Sequence, residues 1–136
     1  MLANGTKLGY KASGADSTFK DLPGLKEIPE MGEDIEKVDN TGLTDPHKVY
    51  EKGIGDLSDM KYKFKYDNTK ADSPYRVLSD AADKGTVLTF QEILPDKTVT
   101  EFTGQVAVKR TGGGVNAVIE FEATIAVQSI KRTDPA

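Results

Sequence analysis

Near its C-terminus the chain alternates apolar and polar residues over sixteen positions, 115–130. Val115, Ala117, Ile119, Phe121, Ala123, Ile125 and Val127 fall on one side, and Asn116, Glu120, Glu122, Thr124 and Gln128 on the other. A period of two is that of a β-strand with one buried face. Sixteen residues would run roughly 50 Å, against a usual strand of about 5–6 residues. Such a strand has to bend, bulge or pass between two sheets. A second stretch repeats the pattern more briefly, with Met60, Tyr62, Phe64 and Tyr66 on one face and Lys61, Lys63 and Lys65 on the other.

The other segments fit around these two. Residues 86–94 are rich in β-branched and aromatic side chains and end at Pro95-Asp96, a turn signal. Residues 98–110 place Phe102, Gly104, Val106 and Val108 on one face, and the three glycines 112–114 permit a reversal. Shorter strands are expected at 7–11, at 25–28 before Pro29, and at 33–40. One helix is expected over 73–84. Asp72 or Ser73 can cap it, Pro74 suits its first turn, Tyr75, Leu78, Ala81 and Ala82 form its apolar stripe, and Gly85 can end it. The expected fold is mainly β, a β-sandwich or barrel of two packed antiparallel sheets with one flanking helix. It reads as a single domain, 1–136, with residues 1–24 as an N-terminal arm and 132–136 as a flexible tail.

Residues 41–56 are expected to form a long loop, well beyond the usual connection of about 4–6 residues. The loop holds Gly42, Gly53 and Gly55 without a catalytic set, which points to a binding or assembly element. His47 is the chain's one histidine, and no second histidine or cysteine accompanies it as a metal ligand. No cofactor or metal site is expected. Gly53-Ile54-Gly55 lacks the third glycine and the following helix of a dinucleotide fingerprint. The stretch 67–72 lacks calcium-loop spacing. No nucleophile elbow occurs, and no carboxylate pair stands out among 22 acidic residues, so an enzyme is not expected.

With no cysteine, disulfides and thiolate metal sites are excluded. A net charge of -4 argues against tight wrapping of nucleic acid. No apolar run approaches the roughly 20 residues of a membrane span and no signal peptide is evident, so a soluble protein made in the cytoplasm is expected. Lys61, Lys63 and Lys65 read as a solvated strand face. Tyr50, Tyr62, Phe64 and Tyr66 could form a sugar platform, although alternation favours core packing for that set.

The order of the segments carries a family resemblance. Ile35-Glu36-Lys37-Val38-Asp39-Asn40-Thr41-Gly42-Leu43-Thr44-Asp45 is followed by Lys48-Val49-Tyr50-Glu51-Lys52-Gly53-Ile54-Gly55-Asp56. Then come the alternating strand, the short helix, Leu94-Pro95-Asp96, Phe102-Thr103-Gly104, a Gly-rich turn and the long last strand. From about residue 24 to 130 this order resembles the major tail tube proteins of long-tailed bacteriophages. The resemblance implies a virion tail protein, made in the bacterial host cytoplasm, that forms stacked hexameric rings around a tape measure protein and later conducts DNA without binding it specifically. It also implies tail terminator and distal tail proteins as partners. In the assembly loop it singles out Thr41, Leu43, Asp45, Val49, Tyr50, Gly53, Ile54 and Gly55, and it makes Glu120 and Glu122 an acidic lining of the channel. Two alternatives are a ring-forming tube protein of a contractile secretion system and a monomeric β-sandwich binding module.

Overall fold

The structure, a computed structural model, describes residues 1–12, 18–34, 36–53 and 56–135. In chain order the strands are β1 (Lys7–Ala12), β2 (Lys20–Asp21), β3 (Leu25–Glu27), β4 (Glu33–Asp34), β5 (Lys37–Asp39), β6 (Tyr50–Lys52), β7 (Asp56–Leu57) and β8 (Met60–Lys65). The helix α1 (Pro74–Lys84) follows, and then β9 (Val87–Ile93), β10 (Val99–Arg110) and β11 (Glu120–Thr133). Seven strands form one antiparallel sheet in the order β2-β1-β9-β10-β11-β8-β3. Outside it lie two small pairs, β4 with β7 and β5 with β6.

The sheet is curled, and its side chains say so. Tyr62 on β8 donates a hydrogen bond of 2.5 Å to Glu92 on β9, although β11 and β10 lie between those strands. Three strand spacings would hold them about 14 Å apart in a flat sheet. The rings of Tyr62 and Phe102 stack at 6.0 Å, and those of Phe102 and Phe90 at 5.4 Å, across the same interior. The two edges are then stitched together by the chain itself. Leu22 N–H donates to Leu8 O on one edge at 2.8 Å, and Lys65 N–H on the other donates to Gly24 O at 2.8 Å. Gly24 takes φ 86°, which favours glycine. The result is a seven-stranded half-barrel whose two edges are joined by residues 22–24, with Leu22 buried there.

The period-two stretches fill this barrel. Met60, Tyr62 and Phe64 are buried, as are Phe121, Ala123 and Ile125 on β11 beside them. Phe64 stacks on Phe121 at 5.1 Å, and Tyr75 of α1 meets Phe121 edge-on at 5.3 Å. The helix lies where its stripe predicts, with Leu78 and Ala81 in the core. Gly85 ends it in the left-handed conformation, and Gln105 Nε2 holds the Gly85 carbonyl at 2.9 Å. Its start differs from expectation: Ser73 occupies the cap position, but its hydroxyl accepts from Lys70 N–H at 3.0 Å instead of from the first helical turn.

The mainly β architecture with one flanking helix is as the patterns require. Five boundaries move. The last strand begins at Glu120, because the glycines at 112–114 and Asn116, at φ 64°, turn the chain before it. Val115, Ala117 and Ile119 therefore stand outside the sheet, while the strand runs on to Thr133 and takes in the first two residues of the expected tail. Its length is relieved by a bulge: Thr103 pairs with Ser129 but Gly104 with Val127, leaving Gln128 extra. Residues 1–24 are no free arm, since β1 and β2 belong to the sheet and Leu8 and Leu22 to the core. The stretch 33–40 is split into β4 and β5, and the loop expected at 41–56 is partly strand as well.

Candidate functional site

Between β3 and β8 the chain leaves the barrel and returns as a two-stranded ribbon, β4 with β7 at its root and β5 with β6 further out. This ribbon is the arm. Its registers are Glu33 with Leu57, then Lys37 with Lys52 and Asp39 with Tyr50. Gly53 N–H adds a bond of 2.6 Å to Glu36 O. Ile54 and Gly55, singled out in the sequence, lie outside the described residues.

The tip is built by short polar side chains. Thr41 Oγ1 donates to Asp39 Oδ1 at 2.6 Å and accepts from Val49 N–H at 2.9 Å, so one hydroxyl ties the two limbs. Asp39 Oδ1 also accepts from Thr41 N–H at 3.0 Å. These bonds hold the Asp39 carboxyl below its ordinary range. Asp45 Oδ2 accepts from Gly42 N–H at 2.8 Å, and Asn40 Nδ2 donates to Glu51 Oε1 at 2.7 Å. Lys37 Nζ sits 5.7 Å from the Tyr50 ring. At the root Lys52 meets Glu33 at 3.2 Å.

Polar bonding shapes the arm, and among its described residues the large apolar side chains of the outer part are exposed. Leu43 is fully exposed, and Val38, Val49 and Tyr50 are 49%, 40% and 50% exposed. An isolated two-stranded ribbon is only marginally stable in water. Exposed ion pairs such as Lys52–Glu33 add about 0–1 kcal/mol. Thr41, Leu43, Asp45, Val49, Tyr50 and Gly53 all lie on this arm, and Lys37 and Val38 lie on its other limb, which the sequence reads as an ordinary strand.

Glu120 and Glu122 point away from the core on β11, but not onto an acidic face. Glu120 pairs with Lys26 at 3.1 Å and lies across from Lys65. Glu122 lies between Lys63 on β8 and Lys109 on β10. Lys63 also approaches Glu27 at 3.9 Å. On this part of the wall lysines and glutamates alternate across the strands, and its ion pairs are Lys26–Glu120 and Lys63–Glu27.

Other readings are resolved by position. Tyr62 and Phe64 are fully buried, and Tyr66 packs on Tyr75 at 4.8 Å, far along β8 from the arm that carries Tyr50. The sugar platform is therefore not formed. His47 is an exposed tip residue. Asp67 caps its own turn through Thr69, whose amide and hydroxyl donate at 3.1 and 2.8 Å. Among the described residues no three His, Cys, Asp or Glu side chains gather as metal ligands. No described helix is long and apolar enough to cross a membrane.

A curled sheet with a filled core, carrying an arm whose described large apolar side chains are exposed, is the build of a structural subunit. The family gives this class its particular form. Residues 7–133 match the family described as Phage tail tube protein, TTP, and the chain belongs to that family. It is a structural protein of the virion tail. No curated protein matches it. Similar solved structures include a chain of the anti-feeding prophage (AFP) baseplate, at 9% identity and TM-score 0.73 over 95% of this chain and 92% of that one. A chain from the tail of an empty GTA particle, refined with C6 symmetry, matches at 19% identity and TM-score 0.71 over 96% and 95%. The SPP1 tail tube protein matches at 12% identity and TM-score 0.72 over 96% of this chain and 77% of that one. At these identities the likeness is one of fold.

Proposed function

We propose that copies of this chain form hexameric rings that stack into the tail tube, a conduit for DNA, and that the arm makes the contacts between copies. The observation that carries this is the arm itself, a ribbon whose apolar side chains the body leaves uncovered. The C6 symmetry of the similar GTA tail supports a six-membered ring. Thr41 and Asp45 shape the tip, Leu43, Val49 and Tyr50 supply its apolar contact, and Gly53 begins the returning limb. Within the tube a tape measure protein would occupy the channel, with a tail terminator and distal tail protein at its ends. Such a chain works by packing alone, without catalysis. Where the face of alternating charge around Glu120 and Glu122 lines the channel, it presents DNA with balanced charge, giving phosphates no patch on which to release counterions and bind.

The test uses the register of the arm. Asp39 and Tyr50 pair directly, so residues 40–49 can be replaced by Asn-Gly, a two-residue turn suited to such a hairpin. Concentrated wild-type protein should form rings or tubes in negative-stain electron microscopy. The shortened protein should keep its melting temperature and stay monomeric in light scattering. Tubes formed equally well without the tip would remove the arm from assembly.

A further inference from the structure

A second exposed apolar element lies at the far end of β8. The chain enters β8 at Met60 directly from the arm, and the last residue of β8, Lys65, pairs with Glu120, where the loop between β10 and β11 ends. The six residues of β8 hold arm root and loop roughly 17 Å apart along the strand. In that loop Val115 is 96% exposed, and Val118 and Ile119 are exposed too. Its conformation is defined: Ala117 N–H donates to Gly114 O at 3.1 Å, and Thr111 Oγ1 accepts from Glu120 N–H at 3.0 Å. It is a built surface with no cover in its own copy.

The two elements also differ in charge. The arm tip from Asp39 to Val49 carries two carboxylates, Asp39 and Asp45, against one cation, Lys48, and is net negative. The stretch from Lys109 to Ile119 carries two cations, Lys109 and Arg110, and no acid. Neither cation makes an ion pair among the described residues. Each element thus combines exposed aliphatic side chains with a charge opposite to that of the other, and they sit at opposite ends of one body.

We infer that the arm tip of one copy docks on the 111–119 loop of the next, with Leu43 against Val115 and Val118 and the tip carboxylates toward Lys109 and Arg110. This deepens the tail-tube reading and rests on it. The contact is heterologous, so each copy offers one unused arm and one unused loop. It therefore extends an assembly instead of closing a pair.

The native chain has no cysteine, which allows a clean cross-linking test on full-length protein. Leu43→Cys with Val118→Cys is compared with Leu43→Cys with Lys84→Cys, Lys84 being exposed at the end of α1. Both are oxidised after assembly and imaged in parallel. The inference expects a ladder of covalent oligomers on non-reducing gels for the first pair, at least tenfold stronger than for the second. Tubes by microscopy without that ladder, or with equal ladders from both pairs, overturn the docking and leave the tube standing. Failure of the wild type and both pairs to assemble under any condition overturns the tube reading and the docking with it.

Discussion

Glu92 is the most costly residue in the barrel to bury, at 3% exposure in an aromatic interior. Its compensation is the Tyr62 hydroxyl at 2.5 Å. Burial raises the Glu92 carboxyl above its ordinary range, and the hydrogen bond from Tyr62 offsets part of that. Tyr62 is pushed up in turn by its own burial and by the neighbouring carboxylate. Because the folded carboxyl keeps its proton where the unfolded chain has lost it, the contribution is fully present below the unfolded pKa. It is lost as pH rises through the folded one. Thermal melts from about pH 5 to about pH 8 should therefore fall more steeply for the wild type than for Glu92→Gln; parallel profiles would show that the carboxyl does not titrate across folding. Removing the donor, as in Tyr62→Phe, should cost about 1–3 kcal/mol in chemical denaturation. Gly104 is the second sensitive point. A Cβ there would collide with the Ala126 carbonyl and come within 2.9 Å of Ile125 Cγ2. Gly104→Ala should destabilise by about 1–3 kcal/mol or more, read as a lowered denaturant midpoint.

Among the elements, α1 and the arm have opposite duties. Leu78 on α1 is wholly buried, while Leu43 on the arm is wholly exposed. Leu78→Ala should cost about 2–5 kcal/mol of folding stability. Leu43→Ala should leave the melting curve where it is and reduce tube formation; a matching loss of stability would place Leu43 in the body's own packing. The helix was legible in the sequence because its stripe, Pro74 and Gly85 agree with one another. The strands β8, β9 and β10 were legible for the same reason, alternation meeting turn signals. The start of β11 was not, because Val115, Ala117 and Ile119 continue the alternation through a loop. There Gly114 and Asn116 overrule periodicity, and Asn116 was the signal that could have marked the break. β1 was expected as a strand at 7–11, but its place inside the sheet was not, because its glycine and lysines leave Leu8 as its main buried anchor. The arm's pairing was hidden because its strands bury nothing. Pattern reading sees burial, and the arm's residues are exposed in a single copy.

For the molecule as a whole, the division into body and arm separates folding from assembly. The body encloses its core without help, so thermal stability should change little across a dilution series that takes the protein from tubes to free subunits; a melting temperature that collapses on dilution would make the neighbour part of the fold. Glutamates and lysines are interleaved along β8 and β11. The seam at Leu22-Pro23-Gly24 has one more consequence. A chain produced in bulk and packed at high concentration is exposed to fibril formation, which starts from long unpaired strand borders. By folding its own border back on itself, and leaving only β2 and β3, two and three residues long, at the margins, this barrel offers fibrils almost no template. The copies can then crowd together and still meet only through contacts shaped for the purpose.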